Sequence, residues 1–145
     1  MRLVVQRVGS ASVKVAGETV GEIGRGLLVL VGIERGDRLE SARAAAGKLA
    51  GLRIFEDADG RMNLDTAAAG GAFLIVSQFT LAGSVARGRR PSFDRAAPPA
   101  EAEPLVDALV ADLLGRGFRV ETGRFRATME VALVNDGPVT LVVDF

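Results

Sequence analysis

The 145-residue chain contains no histidine, no cysteine, no tryptophan and no tyrosine. No Ser-His-Asp triad and no Cys-His pair can be assembled within it. Zinc sites built on imidazole or thiolate are excluded with them, and so are disulfides. Aromatic stacking can draw only on seven phenylalanines. Lysine is confined to Lys14 and Lys48, so the positive charge is nearly all guanidinium, suited to bidentate contact with phosphate or carboxylate. No run approaches the ~20 apolar residues of a membrane-spanning helix, and the first residues lack the pattern of a secretory signal. Net charge is the last absence, since 18 basic and 18 acidic residues cancel. Proteins that wrap long nucleic acids are more basic, because phosphate neutralisation dominates their affinity. Any RNA contact is expected to be small and local. The expectation is one cytoplasmic domain over residues 1–145, with no cofactor, no metal and no membrane association.

What is present reads as a folded domain with enough apolar residues, 48%, for a core of its own. Residues 2–15 read as a long strand, 19–23 as a second, and the apolar run 27–33 as a third, buried on both faces. Gly36 and Asp37 open a helix in which Asp37 and Glu40 form a capping-box-like start. Leu39, Ala42, Ala46 and Leu49 recur at helical spacing, and Gly51 stops it. Residues 53–56 and 61–64 flank the hairpin signal Asp57-Ala58-Asp59-Gly60. Residues 72–80 form another buried strand, and 82–100 are irregular. A second helix begins near Pro104, with that proline in its first turn; Leu105, Leu109 and Leu113 lie beside Val106, Val110 and Leu114. Residues 118–121, 129–135 and 139–145 complete the strands. The pattern predicts an α+β domain, a mostly antiparallel, barrel-like sheet packed with two main helices. The high apolar load and the last strand point to a homodimer.

Four segments carry candidate chemistry. Ser77-Gln78-Phe79-Thr80-Leu81 ends a buried strand, where hydroxyls, an amide and backbone N–H groups can meet a substrate or an oxyanion; the plainer reading is ordinary strand-end hydrogen bonding. Asn135-Asp136-Gly137-Pro138-Val139-Thr140 reads as a hairpin turn, or as a cis X-Pro step that fixes neighbouring carbonyls as a rigid wall. Arg87-Gly88-Arg89-Arg90-Pro91-Ser92-Phe93 can hold a phosphate and stack a base, or be a solvated basic loop. Phe125 and Met129 border a pocket or belong to the core. Glu56, Asp57 and Asp59 read as turn residues rather than a metal site.

Together these segments resemble the D-aminoacyl-tRNA deacylase family over essentially the whole chain. The likeness runs from Gln6-Arg7-Val8 and Ala11-Ser12-Val13 through Gly26-Leu27-Leu28-Val29-Leu30, Arg53-Ile54-Phe55 and Met62-Asn63-Leu64. It culminates in Ser77-Gln78-Phe79-Thr80-Leu81, Arg90-Pro91-Ser92-Phe93 and Leu133 to Thr140. The resemblance implies a homodimer acting on the acceptor end of a tRNA that carries a D-amino acid or glycine. In it, Ser77, Gln78, Phe79 and Thr80 of one subunit form the catalytic pocket, and Gly137 and a cis Pro138 of the other insert into it. Main-chain carbonyls of that pair would reject L-amino acids sterically, with Arg7 as their support. The N–H near Phe79 would hold the scissile carbonyl, Thr80 would position substrate or water, and Phe125, Met129, Pro91, Ser92 and Phe93 would border the substrate and its terminal adenosine. The resemblance implies no protein nucleophile, the RNA 2′-hydroxyl assisting instead. Thr128 stands where the family more often has Asp, and Arg126 where Gly or Ala is common.

Overall fold

Buried Leu3, Val5, Val8, Ala11 and Val13 hold Arg2–Val15 in one 14-residue strand, β1. The structure, a computed structural model, describes residues 1–86 and 88–145; Arg87, assigned above to the basic loop, lies outside the described residues. Gly17, at φ 81°, turns the chain back into β2 (Glu18–Ile23) and β3 (Gly26–Gly32). These two form one return arm. Ala11 faces Ile23 and Val8 faces Gly26, so the antiparallel register runs unbroken across Gly24-Arg25.

Helix α1 (Leu39–Ala50) follows, and its start differs from expectation. The cap is Arg38, whose N–H donates to the Ser41 hydroxyl. The Asp37 carboxylate is engaged elsewhere, accepting from the Met1 ammonium at 2.6 Å and the Glu34 N–H at 2.7 Å. A charge-assisted bond to an ammonium is stronger than one to a neutral helix amide. Leu39 is largely exposed, and Ala42, Ala45, Ala46 and Leu49 make the buried face.

The hairpin forms as β4 (Phe55–Glu56) and β5 (Met62–Leu64). The Arg61 N–H donates to the Asp57 carboxylate across the turn and holds its pKa below the usual carboxylate range. β6 (Ala72–Ser77) then runs parallel to β3. It is shorter than expected: Phe79–Ala82 wind into a 3₁₀ turn instead of extending the strand. Helix α2 (Pro99–Gly115) begins at Pro99, not near Pro104. Pro104 lies inside the helix and withholds a hydrogen bond from the carbonyl of Ala100, but both residues are exposed, so water can serve that carbonyl. Ala102, Val106, Leu109 and Leu113 are buried, whereas Leu114 faces away.

β7 (Val120–Thr122) pairs parallel with β6 and curls back towards β2. The approach is close: a methyl on Gly21 would stand 2.5 Å from the Thr122 carbonyl oxygen. The sheet is therefore nearly closed and mixed rather than mostly antiparallel. Chain that leaves β3 and β6 crosses over through helices before pairing, which returns it in the same direction.

The largest departure is at the end of the chain. β8 (Glu130–Asp144) is one strand of 15 residues, antiparallel to β1 from Lys14↔Glu130 to Arg2↔Asp144. Asn135-Asp136-Gly137-Pro138 is not a hairpin turn but a bulge within it, between the Val8↔Asn135 and Gln6↔Thr140 pairs, and the Gly137-Pro138 bond is cis. β1 is long enough to pair both halves, which is why the strand continues. At its end Arg2 Nε donates to Asp144 at 2.7 Å and holds that carboxyl below its ordinary range.

One apolar cluster lies between the sheet and the two helices, centred on Leu3, Val5, Leu27, Phe73, Leu109 and Leu113. A second fills the curl of the sheet with Val8, Val13, Ile23, Leu28, Leu74 and Val76. The β3–β6 contact between them has no slack. A methyl on Gly26 would lie 2.0 Å from the carbonyl oxygen of Ala72, and that oxygen belongs to paired backbone. Gly26→Ala is expected to cost about 1–3 kcal/mol, as overpacking does, read as a lower urea midpoint; an unchanged midpoint would mean the two strands can separate freely.

Candidate active site

β3 and β6 run parallel and end together, and beyond their carboxyl ends the structure holds a cavity of about 580 Å³. It is lined by Val31 and Val76 from the strand ends, by Ile33, Ala96, Ala97, Ala102 and Val106, and by Phe125, Met129 and Val131. Ser77, Gln78, Phe79 and Phe93 form the rim. Of the residues singled out from sequence, Ser77, Gln78, Phe79, Phe93, Phe125 and Met129 share this cavity. Thr80, Pro91 and Ser92 do not line it, nor do Arg7, Gly137 and Pro138.

Close packing shapes the rim. Gln78 donates its backbone N–H to the Val31 carbonyl at 2.7 Å, which ends β6 beside β3. Gly32 lets the following turn approach: a methyl there would meet the Leu81 Cβ at 2.8 Å. The Gln78 amide Nε2 donates to the Thr80 hydroxyl oxygen. Phe79 and Thr80 open the 3₁₀ turn, and their N–H groups have no backbone acceptor among the described residues, as expected for the first donors of a helical turn. Phe79, 59% exposed, sets its ring edge-on to Phe93 at 5.2 Å between centroids. Phe93 is held by a short two-way bridge, Ser84 and Ser92 exchanging N–H to carbonyl bonds at 2.8 and 2.9 Å. The Ser92 hydroxyl is occupied with Asp94 at 2.6 Å. No carboxylate lines the cavity, and no titratable side chain hydrogen-bonds Ser77 or Thr80 among the described residues.

The Gly137-Pro138 element is built separately and braced from behind. Arg7, 5% exposed, donates Nε to the Asp136 carbonyl at 2.8 Å and Nη1 to the Ile54 carbonyl at 2.6 Å. The Asp136 and Glu56 carboxylates flank the same guanidinium at 3.3 and 3.7 Å. From the other side, Asn135 Nδ2 donates to the carbonyls of Arg7 and Val139 at 2.9 and 3.2 Å. Val139 is buried, while Gly137 and Pro138 are exposed. The wall residues Ile33, Ala96, Ala97, Pro99, Ala102 and Val106, and the clamp made by Asn135, went unrecognised in the sequence. The wall had no local signal; the asparagine had one, since a turn former beside Gly-Pro is apt to bond nearby backbone.

Comparison with known proteins identifies the family of the chain. Residues 4–144 match the family model described as D-Tyr-tRNA(Tyr) deacylase. A D-aminoacyl-tRNA deacylase of Anaeromyxobacter dehalogenans is 58% identical over 144 residues, covering 99% of this chain and 97% of the relative. The corresponding protein of Symbiobacterium thermophilum is also 58% identical, with 99% and 95% covered. Among solved structures, a c-Myc DNA unwinding element binding protein superposes with a TM-score of 0.93 at 38% identity, covering 100% of this chain and 99% of that one. A probable eukaryotic D-amino acid tRNA deacylase superposes at 0.86, with 21% identity and 99% and 98% covered, a likeness of fold. The chain belongs to the D-Tyr-tRNA(Tyr) deacylase family.

Proposed function

We propose that this hydrolase, a D-aminoacyl-tRNA deacylase, frees tRNA from D-amino acids at two equivalent sites, each shared between the subunits of a homodimer. Water adds to the ester carbonyl and the terminal ribose leaves, giving the free D-amino acid and tRNA. One observation carries the shared site: the Gly137-Pro138 element is rigidly braced yet stands outside its own chain's cavity. β8, which bears it, pairs with β1 alone among the described residues, and its Val134 and Val142 are 62% and 63% exposed. An unpaired edge with exposed apolar side chains is a surface for a second copy. In the dimer, carbonyls of Gly137 and Pro138 face the α-carbon in the partner's cavity and leave no room for an L side chain. Glycine, with no side chain, passes the same gate.

Within the cavity the N–H groups of Phe79 and Thr80 receive the developing oxyanion. Because Gln78 donates to the Thr80 oxygen, the hydroxyl hydrogen is left to point at substrate or water. Among the described residues no base hydrogen-bonds Ser77 or Thr80, and the ribose 2′-hydroxyl assists the attack in place of one. Phe125, Met129, Pro91, Ser92 and Phe93 border the amino acid and the terminal adenosine. No cofactor or metal enters the reaction. Among the described residues no helix is long and apolar enough to cross a membrane, and the substrate places the enzyme with the cytoplasmic tRNA pool.

The test is deacylation of matched D-, L- and glycyl-tRNA. D- and glycyl esters should be cleaved and L-esters spared; equal survival of D and L esters would sink the proposal. Thr80→Ala and Ser77→Ala should each keep measurable turnover, at a loss of about 10–1,000-fold. Turnover abolished in either would favour a covalent hydroxyl nucleophile instead. Sedimentation should report twice the 15.1 kDa chain mass, and a monomer at micromolar concentration would contradict the shared site.

A further inference from the structure

We propose that Arg126 binds the phosphate leading into the terminal nucleotide of the substrate, an inference that rests on the deacylase reading and names a residue that sets its substrate length. The cavity wall carries one charged side chain among the described residues, and it is Arg126. Everything else there is apolar or neutral. An aminoacylated 3′-nucleoside is neutral at its reacting ester, and its nearest anion is the 5′-phosphate. A lone cation on an otherwise uncharged cavity therefore matches the nucleotide linkage and not the bond being broken. A planar guanidinium can take two phosphate oxygens at once.

The backbone supports a role for the side chain. Arg126 stands at φ 61°, in the left-handed region, which glycine enters freely and residues with a β-carbon enter at a cost. Within the same short turn, closed by the Ala127 N–H on the Arg124 carbonyl at 3.2 Å, Phe125 is half-buried against the core while Arg126 is exposed. Phe125 thus belongs to the wall while Arg126, next to it in the same lining, is open to solvent. None of the ion pairs among the described residues involves the Arg126 guanidinium. No internal partner accounts for the charge.

The test uses two non-hydrolysable competitors of D-aminoacyl-tRNA deacylation, 3′-(D-alanylamino)-3′-deoxyadenosine and its 5′-monophosphate, which differ by the phosphate alone. The wild-type enzyme should bind the phosphorylated compound about tenfold more tightly, the size of one charge-assisted contact. Arg126→Ala should erase that preference, leave the inhibition constant of the unphosphorylated compound unchanged, and raise KM for D-aminoacyl-tRNA without lowering kcat. Arg126→Lys should keep part of it. Arg126→Gly should lose it while raising Tm, because the backbone cost is gone, which separates the contact from folding. Equal inhibition by the two compounds, no inhibition by either, or a preference that survives Arg126→Ala overturns the assignment. If wild-type enzyme cleaves D-aminoacyl-tRNA, any of these overturns the phosphate contact alone; if it cleaves none, the deacylase reading falls as well.

Discussion

Gly137→Ala is expected to lower kcat/KM for D-aminoacyl-tRNA by about 100-fold, the cost of displacing a positioning group by an ångström, while the chain still folds. A methyl at this position would sit 2.4 Å from Asn135 Oδ1 and 3.0 Å from the Val139 nitrogen. The asparagine cannot simply swing aside, because its Nδ2 is tied to the carbonyls of Arg7 and Val139. The backbone nitrogen of Val139 is no freer, since the residue is buried. The Gly-Pro carbonyls must therefore move. Circular dichroism should remain that of the wild type, as the clash is confined to an exposed bulge. Mixing makes the result diagnostic. A Gly137→Ala chain keeps its cavity, and a Ser77→Trp chain, its rim filled, keeps its gate. Reassorted heterodimers contain one intact site, so activity should return to ~25% of wild type, the statistical share for two exchanging subunits. Two inactive variants that stay inactive after subunit exchange would place gate and cavity in the same chain.

Arg7→Ala should cost about 3 kcal/mol of stability and most of the activity. A buried guanidinium that donates to two backbone carbonyls contributes about 1.5–3 kcal/mol per bond, and its removal leaves the Ile54 and Asp136 carbonyls without that donor. The urea midpoint should fall with the slope unchanged. Arg7→Lys should recover part of the stability but little of the deacylation. An ammonium is a point charge on a flexible stem and cannot bridge Asp136 and Ile54 as a planar fork does. Full activity in Arg7→Ala would show that the Gly-Pro carbonyls hold their place without support.

These two residues also show how far sequence reasoning reached. Gly137 and Pro138 stand out as residue types, but the turn-forming neighbours Asn135 and Asp136 argue for a hairpin. What makes the segment a bulge in one strand is β1, about 130 positions away, whose fourteen residues run beside both halves of β8. Pro104 misled in the same way. Propensity places it in a first turn, yet Val106, Leu109 and Leu113 pack against the sheet and the helix extends back to Pro99. Phe79 and Thr80 read as strand because their neighbours are apolar; the close approach of Leu81 to Gly32 turns them into a 3₁₀ element. Asp37 has every property of a cap, and the ammonium at the start of β1 takes it.

The residue inventory by itself determined the chemistry that is impossible here, since a histidine or thiol absent from the chain is absent from every conformation. It also determined the long first strand, the two helices and the family to which the motifs belong, because periodicity and motif spacing are local and survive without knowledge of partners. Tertiary structure alone decided that the sheet is mixed, that β8 is one strand, and that Ser77, Phe93, Phe125 and Met129 share a cavity. It alone decided that Gly137 and Pro138 lie outside that cavity, braced by Arg7 and Asn135. Pairing and enclosure depend on side chains brought together from distant positions, and a cavity is defined by what fails to fill it, which no local run of residues records.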